Sequence, residues 1–307
     1  MRMQILRKFL SVLTPLFATV LLAATASGQE TVVYSFSDPN GDVLPQAGVI
    51  SDANGNLYGT TFYGGTYGMG TVYELSWAAS GWTETILHNF NVDGIDGFFP
   101  TGSLLFDSAG NIYGLTYEGG GVTSACRYGC GIAFELVRGQ NGHWTGKVLH
   151  NFTTSSGDGQ FPFGSLVFDK QGNLYGTASS GGGSSNSGIV FELSPSSGAA
   201  WSETILHNFN DSATDGASPN AGLIFDSAGN LYSTTIGGGS DGQGTVFELS
   251  LAGGGTRTET ILHSFSNQAV DGYNPNGGLI LDKSGNLYGV TASGGQNQDG
   301  AVFEVTP

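Results

Sequence analysis

Basic residues are scarce in this chain: nine Lys and Arg stand against 25 Asp and Glu in 307 residues, a formal charge of −16. A surface so short of cations repels phosphate backbones and anionic lipid, which excludes nucleic acid as a partner. Cysteine is scarcer still, with only Cys126 and Cys130. Two thiols without a second pair nearby make no zinc site, and in an exported protein they are expected to form a disulfide. Helical periodicity is missing beyond the first thirty residues, which argues against a mixed α/β enzyme fold. Glycine runs such as Gly181-Gly182-Gly183 lack a following Lys-Ser/Thr, so no phosphate-binding loop is present. Asp38-Pro39-Asn40-Gly41-Asp42 opens like a calcium hand, but Val49 stands where a bidentate glutamate is needed, and that reading fails.

What remains is rich in glycine, with 52 residues, and its polarity comes mainly from Ser, Thr and Asn, a composition of strands and tight turns. The first residues read as a secretory signal, residues 1–28. Arg2, Arg7 and Lys8 precede the apolar run Phe9 to Ala24, and small residues follow at Ala24-Thr25-Ala26 and Ala26-Ser27-Gly28. Removing that leader leaves six basic against 25 acidic residues. No membrane span is expected after removal, and the location implied is secreted or periplasmic.

Residues 29–307 then form one domain of five repeats. The phrase Gly222-Leu223-Ile224-Phe225-Asp226-Ser227-Ala228-Gly229-Asn230-Leu231-Tyr232 returns in variants from Gly48, Gly102, Gly164 and Gly278. Its aspartates Asp52, Asp107, Asp169, Asp226 and Asp282 mark the period. Each phrase leads to a Gly-Gly loop, a strand ending in Phe/Tyr-Glu-Leu/Val such as Phe247-Glu248-Leu249, and an outer strand ending at Phe90, Phe152, Phe209 or Phe265. Four short strands per copy make one antiparallel sheet, and copies of this length predict an all-β, five-bladed propeller. The copies run about 37–90, 91–152, 153–209, 210–265 and 266–307. The last stops after its third strand, while residues 31–36 match the missing fourth one. Pairing of residues 31–36 with residues 301–305 is therefore expected to close the ring and remove two open sheet edges.

With Leu57-Tyr58-Gly59-Thr60-Thr61 before Gly64-Gly65, and Gly244-Thr245-Val246-Phe247-Glu248-Leu249, the chain resembles the bacterial Gloeobacter/Verrucomicrobia-type tandem repeat over essentially its whole length after the leader. The resemblance implies secreted or surface-anchored proteins whose biochemical role it leaves open.

Most chemistry-bearing residues recur with the repeat and are explained by it. The Asp-x-x-Gly-Asn aspartates read as turn caps. His88, His150, His207 and His263 are expected to face the glutamates of the Phe-Glu-Leu strands, one contact per copy. The tyrosines Tyr58, Tyr113, Tyr175, Tyr232 and Tyr288, and Trp82, Trp144 and Trp201 with Arg257 in the fourth copy, are expected to pack between blades. Asp96, Asp158, Asp215 and Asp271 each precede a proline by four residues; four carboxylates near a channel mouth are candidate calcium ligands, with a simple turn as the other reading. No other cofactor is expected.

Function is sought where the repeat is broken. Tyr63, Tyr67, Phe98, Phe99, Tyr117, Glu118, Tyr128, Phe161, Asp241, Tyr273 and Asp299 fall in the longer loops of one face and are candidate ligand contacts, since aromatic rings beside scattered carboxylates suit a sugar or a protein surface. Glu118 and Asp42 are the catalytic candidates. The first expectation is a monomeric, non-catalytic binding or surface-interaction module for a glycan or protein. The alternative is a carbohydrate-active enzyme, a glycoside hydrolase or lyase using carboxylates at the channel mouth.

Overall fold

The computed structural model describes residues 30–37, 43–124, 126–155, 157–196, 200–251, 257–268 and 271–307. The chain divides into two compact units, residues 1–35 and 36–307. The expected leader lies outside the described residues, and among the described residues no helix is long and apolar enough to cross a membrane.

Every described element is a strand, and the strands form five antiparallel sheets that follow the repeat. The first sheet comprises Ile50–Ser51, Leu57–Thr61, Thr71–Ala78 and Gly81–Asn89. The second holds Gly97–Phe106, Ile112–Gly119, Ile132–Arg138 and Trp144–Asn151, and the third Gly159–Phe168, Leu174–Gly181, Ile189–Pro195 and Trp201–Asn208. In the fourth sheet the innermost strand is split into Gly216–Pro219 and Ile224–Phe225, followed by Leu231–Gly238, Thr245–Leu251 and Arg257–Ser264. The fifth splits likewise into Gly272–Pro275 and Ile280–Leu281, followed by Leu287–Gly294 and Ala301–Val305.

The turn between the first two strands of each sheet is fixed by its aspartate. Asp169 accepts from the Gln171 and Asn173 N–H groups at 2.8 and 2.9 Å, from the Asn173 side chain at 2.8 Å and from the Tyr175 hydroxyl at 3.1 Å. The same bonds recur at Asp52, Asp107, Asp226 and Asp282, so these carboxylates are consumed by the fold. The tyrosine ring then crosses to the next sheet: Tyr58 meets Phe106, Tyr113 meets Phe168 and Tyr175 meets Phe225, edge to face at 5.0 to 5.1 Å.

Outer-strand phenylalanines make a second seam. Phe90, Phe152, Phe209 and Phe265, each fully buried, meet Phe134, Phe191, Phe247 and Phe303 of the following sheet at 5.0 to 5.3 Å. Phe36 meets Tyr73 of the first sheet in the same way, at 4.8 Å. The tryptophan position also repeats by function: Trp201 lies against Tyr113, and Arg257 places its guanidinium 5.7 Å from the centre of the Tyr175 ring.

Two expectations need correction. Residues 30–37 carry no strand, and no pairing of theirs with Ala301–Val305 is seen among the described residues; Val32 and Val302 are 70% and 80% exposed. The outer-strand histidines do not face the Phe-Glu-Leu glutamates. Register puts His88 opposite Val72 and Glu74 opposite Thr85, so the two side chains are never cross-strand partners. Glu74 instead accepts from the Tyr58 hydroxyl at 3.1 Å, and Glu135 from Tyr113 at 3.1 Å and Lys147 at 3.2 Å.

Candidate functional site

The four histidines bond to the loop aspartates. His88 Nε2 lies 2.9 Å from Asp96, His150 3.2 Å from Asp158, His207 3.0 Å from Asp215 and His263 3.4 Å from Asp271. Each aspartate also holds the start of its own loop: Asp158 accepts from the Thr153 N–H and hydroxyl at 2.7 Å, Asp215 from the Asn210 N–H at 3.0 Å, and Asp271 from the Ser266 N–H at 2.9 Å. These carboxylates thus pin the connection between successive sheets. Imidazole nitrogen is a poor partner for Ca²⁺, which prefers a shell of six to eight oxygens.

Four residues past each pinned aspartate the chain turns inward. The residue before the proline adopts the left-handed conformation in all five copies: Leu44, Phe99, Phe161, Ser218 and Asn274 have φ between 46° and 59°. Such backbone costs about 1–2 kcal/mol in a residue other than glycine. The strain is held by bonds to the Gly-rich loops: the Phe99, Phe161, Ser218 and Asn274 N–H groups donate to Met69, Cys130, Ser187 and Gln243 carbonyls at 2.7 to 3.1 Å. Backbone strain of this kind concentrates at functional sites.

Directly after each proline comes Gln46, Thr101, Phe163, Asn220 or Asn276, and all five line one central cavity of about 580 Å³. A second cavity of about 350 Å³ shares Gln46, Phe163 and Asn220 with the first and adds Phe62, Tyr117 and Ser179, which makes it the mouth of the same channel. The mouth has aromatic walls. Phe62 stacks on Phe99 at 4.8 Å, and Tyr117 stacks on Phe161 at 5.1 Å with Phe163 edge-on at 6.2 Å. The described lining of both cavities is amide, hydroxyl, aromatic, aliphatic (Leu223, Ile224 and Ile236) and backbone, with no carboxylate.

Of the residues singled out in the sequence, the structure brings Tyr117, Phe99 and Phe161 to this mouth or against its walls. Phe98 is buried in the core between the first two sheets, and Tyr273 packs against the core of the last two. Tyr63 caps the Phe62–Phe99 stack, whereas Tyr67, Tyr128, Asp241 and Asp299 are exposed. Cys126 and Cys130 are joined as a disulfide whose loop carries Tyr128. Asp42 lies outside the described residues. Glu118 lines neither cavity but follows Tyr117 on Ile112–Gly119 and is half-buried. Burial pushes its carboxyl above the usual range; burial, and then the charge of Glu118, push up the Tyr117 phenol. Sequence reasoning missed Gln46, Asn220 and Phe62. The available signal was the position after the repeated proline, where a fixed frame carries Gln, Thr, Phe, Asn and Asn.

It also missed Glu203 and Glu259, on the outer strands of the third and fourth sheets. Burial, with Asp158 adding to it and His150 opposing, pushes the Glu203 carboxyl up to about 7. Burial, followed by Asp215, does the same at Glu259, again to about 7.

The Gloeobacter/Verrucomicrobia repeat family matches residues 18–224 and 182–307. The chain belongs to that family. No curated protein matches the sequence. Among solved structures, a protein of unknown function from Dyadobacter fermentans is 13% identical, with 86% of this chain and 82% of that one covered at a TM-score of 0.47. An endo-arabinase from Bacteroides thetaiotaomicron is 15% identical, covering 89% and 98% at 0.43. An alpha-L-arabinofuranosidase from Lactobacillus brevis is 11% identical, covering 84% and 88% at 0.45. An arabinase and an arabinofuranosidase among these structures stand against the expectation of a non-catalytic binding or surface-interaction module, while the likeness itself is one of fold alone.

Proposed function

We propose that the chain is an exported carbohydrate-active enzyme, a five-bladed propeller that takes a neutral glycan at the mouth of its central channel. The observation that carries this reading is the lining of that mouth. Phe62, Tyr117 and Phe163 offer ring faces, and Gln46, Asn220 and Ser179 offer neutral donors and acceptors, the combination that recognises a sugar ring by stacking and by its hydroxyls. The strongly acidic chain disfavours a polyanionic substrate, which points to a neutral one. Glu118 follows Tyr117 on the same strand but outside both cavities, so the reading requires the substrate to extend past Tyr117 to reach its burial-raised carboxyl, the proposed proton donor to the leaving oxygen.

The propeller reading is supported by the five innermost strands around one cavity and by Phe36, which takes on Tyr73 the place that outer-strand phenylalanines take elsewhere. The test is release of reducing ends from a panel of neutral polysaccharides. Glu118→Gln is expected to slow release by about 100-fold or more with little change in KM, and Tyr117→Ala or Phe163→Ala to raise KM. Equal rates for the native protein and Glu118→Gln would remove Glu118 from the mechanism, and no release from any neutral glycan would remove the enzyme.

A further inference from the structure

Two side-chain clusters lie away from the channel, where the outer strand of one sheet meets the next. In the first, His150 and Asp158 of the second sheet and its connection face Glu203 of the third sheet; in the other, His207 and Asp215 face Glu259 of the fourth. The donor atoms in each cluster lie within 4.8 Å of one another. His150 Nε2 is 3.2 Å from Asp158 and 3.6 Å from Glu203, and His207 Nε2 is 3.0 Å from Asp215. Three ligands at about 2.0–2.2 Å in a tetrahedral arrangement stand about 3.4 Å apart, which the His150 spacings match; in the second cluster Glu259 stands farther from His207 and would have to move in to share the ion.

A second observation points the same way. Glu203 Oε1 and Glu259 Oε1 are buried and meet no donor within hydrogen-bond geometry; Glu203 has only the His150 nitrogen at 3.6 Å, and each glutamate faces the carboxylate of its cluster, Asp158 or Asp215. A buried carboxylate oxygen left unpaired is costly unless a cation or proton meets it. Each cluster gathers two carboxylates against one imidazole, and the Asp215 side chain is 5% exposed.

The junction of the first and second sheets supplies an internal comparison. His88 and Asp96 are paired there at 2.9 Å, but the outer strand of the second sheet carries Gly146 where the next two carry glutamate, two residues after Trp144, Trp201 and Arg257. The space is a cavity of about 360 Å³ bounded by His88, Asp96 and Gly146. A Cβ on Gly146 would lie 3.5 Å from the His88 ring, an ordinary contact, and the backbone there is extended.

We propose that His150–Asp158–Glu203 and His207–Asp215–Glu259 are two divalent transition-metal sites of the zinc type, each clasping one sheet to the next. The imidazole nitrogen selects a borderline ion such as Zn²⁺ over Ca²⁺, and three protein ligands leave a fourth position for water. The ion neutralises both carboxylates and ties strand Trp201–Asn208 to the connection after Trp144–Asn151, and Arg257–Ser264 to the connection after Trp201–Asn208.

The experiment is zinc titration of the chelator-treated full chain by calorimetry and equilibrium dialysis, with circular dichroism as a check on each variant. Two zinc ions per chain are expected, one each in Glu203→Gln and Glu259→Gln, and three in Gly146→Glu, with thermal stability rising on zinc addition. No zinc uptake overturns the proposal. So does uptake that is indifferent to both glutamine variants, which would place the ion elsewhere, and so does a folded Gly146→Glu protein that still binds two.

Discussion

At the scale of single residues, the inner strands approach so closely that some positions admit no side chain. Gly102 has φ +67°, and a Cβ placed on it would run into the Gly164 carbonyl of the next sheet. Gly110, in the turn of the same sheet, has φ +83° but open space around it. Gly110→Ala is therefore expected to cost only the conformational penalty, about 1–2 kcal/mol, and Gly102→Ala clearly more, because the neighbouring backbone must shift as well. Urea midpoints of the two variants against the native protein measure that difference, and equal losses would mean the inner strands are not packed so tightly. Gly102 was legible from the sequence only as part of a repeated phrase. Nothing in its spacing distinguished a glycine demanded by a turn from one demanded by a neighbouring sheet, because the second requirement exists only after the copies assemble. The histidine partners were hidden for a related reason. Glu and His recur with equal regularity, but a bulge between Val72 and Tyr73, repeated at Ala133, Val190 and Val246, sets a register that periodicity does not reveal.

At the scale of elements, the Asp-x-x-Gly-Asn turn was fully legible, since the motif carries its own hydrogen-bond partners within six residues. Its electrostatics give a direct test. Although burial pulls the other way, the N–H groups and side chain of Asn173 and the N–H of Gln171 hold the Asp169 carboxyl below its ordinary 3.8. A carboxyl with a lower value folded than unfolded gives stability that is complete above pH 3.8 and is lost as pH falls through the folded value, because the native state then has to take up the proton. Asp169→Asn is expected to cost about 1–2 kcal/mol at pH 7 and less at pH 2. Urea unfolding at the two pH values reads the gap, and a gap unchanged at pH 2 would show that the loss is one of packing rather than of charge. The loops of the opposite face were less legible. Their aromatic residues look alike in sequence, yet Phe98 serves the core while Phe99, one position on and left-handed, serves the mouth.

At the scale of the molecule, the division into five antiparallel units was written in the period of Asp52, Asp107, Asp169, Asp226 and Asp282, whereas the outer strand of the fifth is not among the described elements. The last strand, Ala301–Val305, leaves Val302 80% exposed, and Val290 on the strand beside it is 46% exposed, although the matching valines Val246 and Val190 are fully buried. An uncovered edge with β-branched residues is a template for pairing with another chain. If residues 30–36 supply the covering strand in solution, as the place of Phe36 on Tyr73 suggests, their deletion should lower the melting temperature and turn a monomer into concentration-dependent oligomers. Phe36→Ala should lower stability by about 1–2 kcal/mol, the cost of losing a half-buried ring, because it removes the ring while keeping the backbone able to pair. Light scattering after size exclusion separates the two effects: oligomers for the deletion, a less stable monomer for Phe36→Ala. A deletion variant that stays monomeric and as stable as the native protein would show that the edge is tolerated bare and that the five sheets hold together without closure.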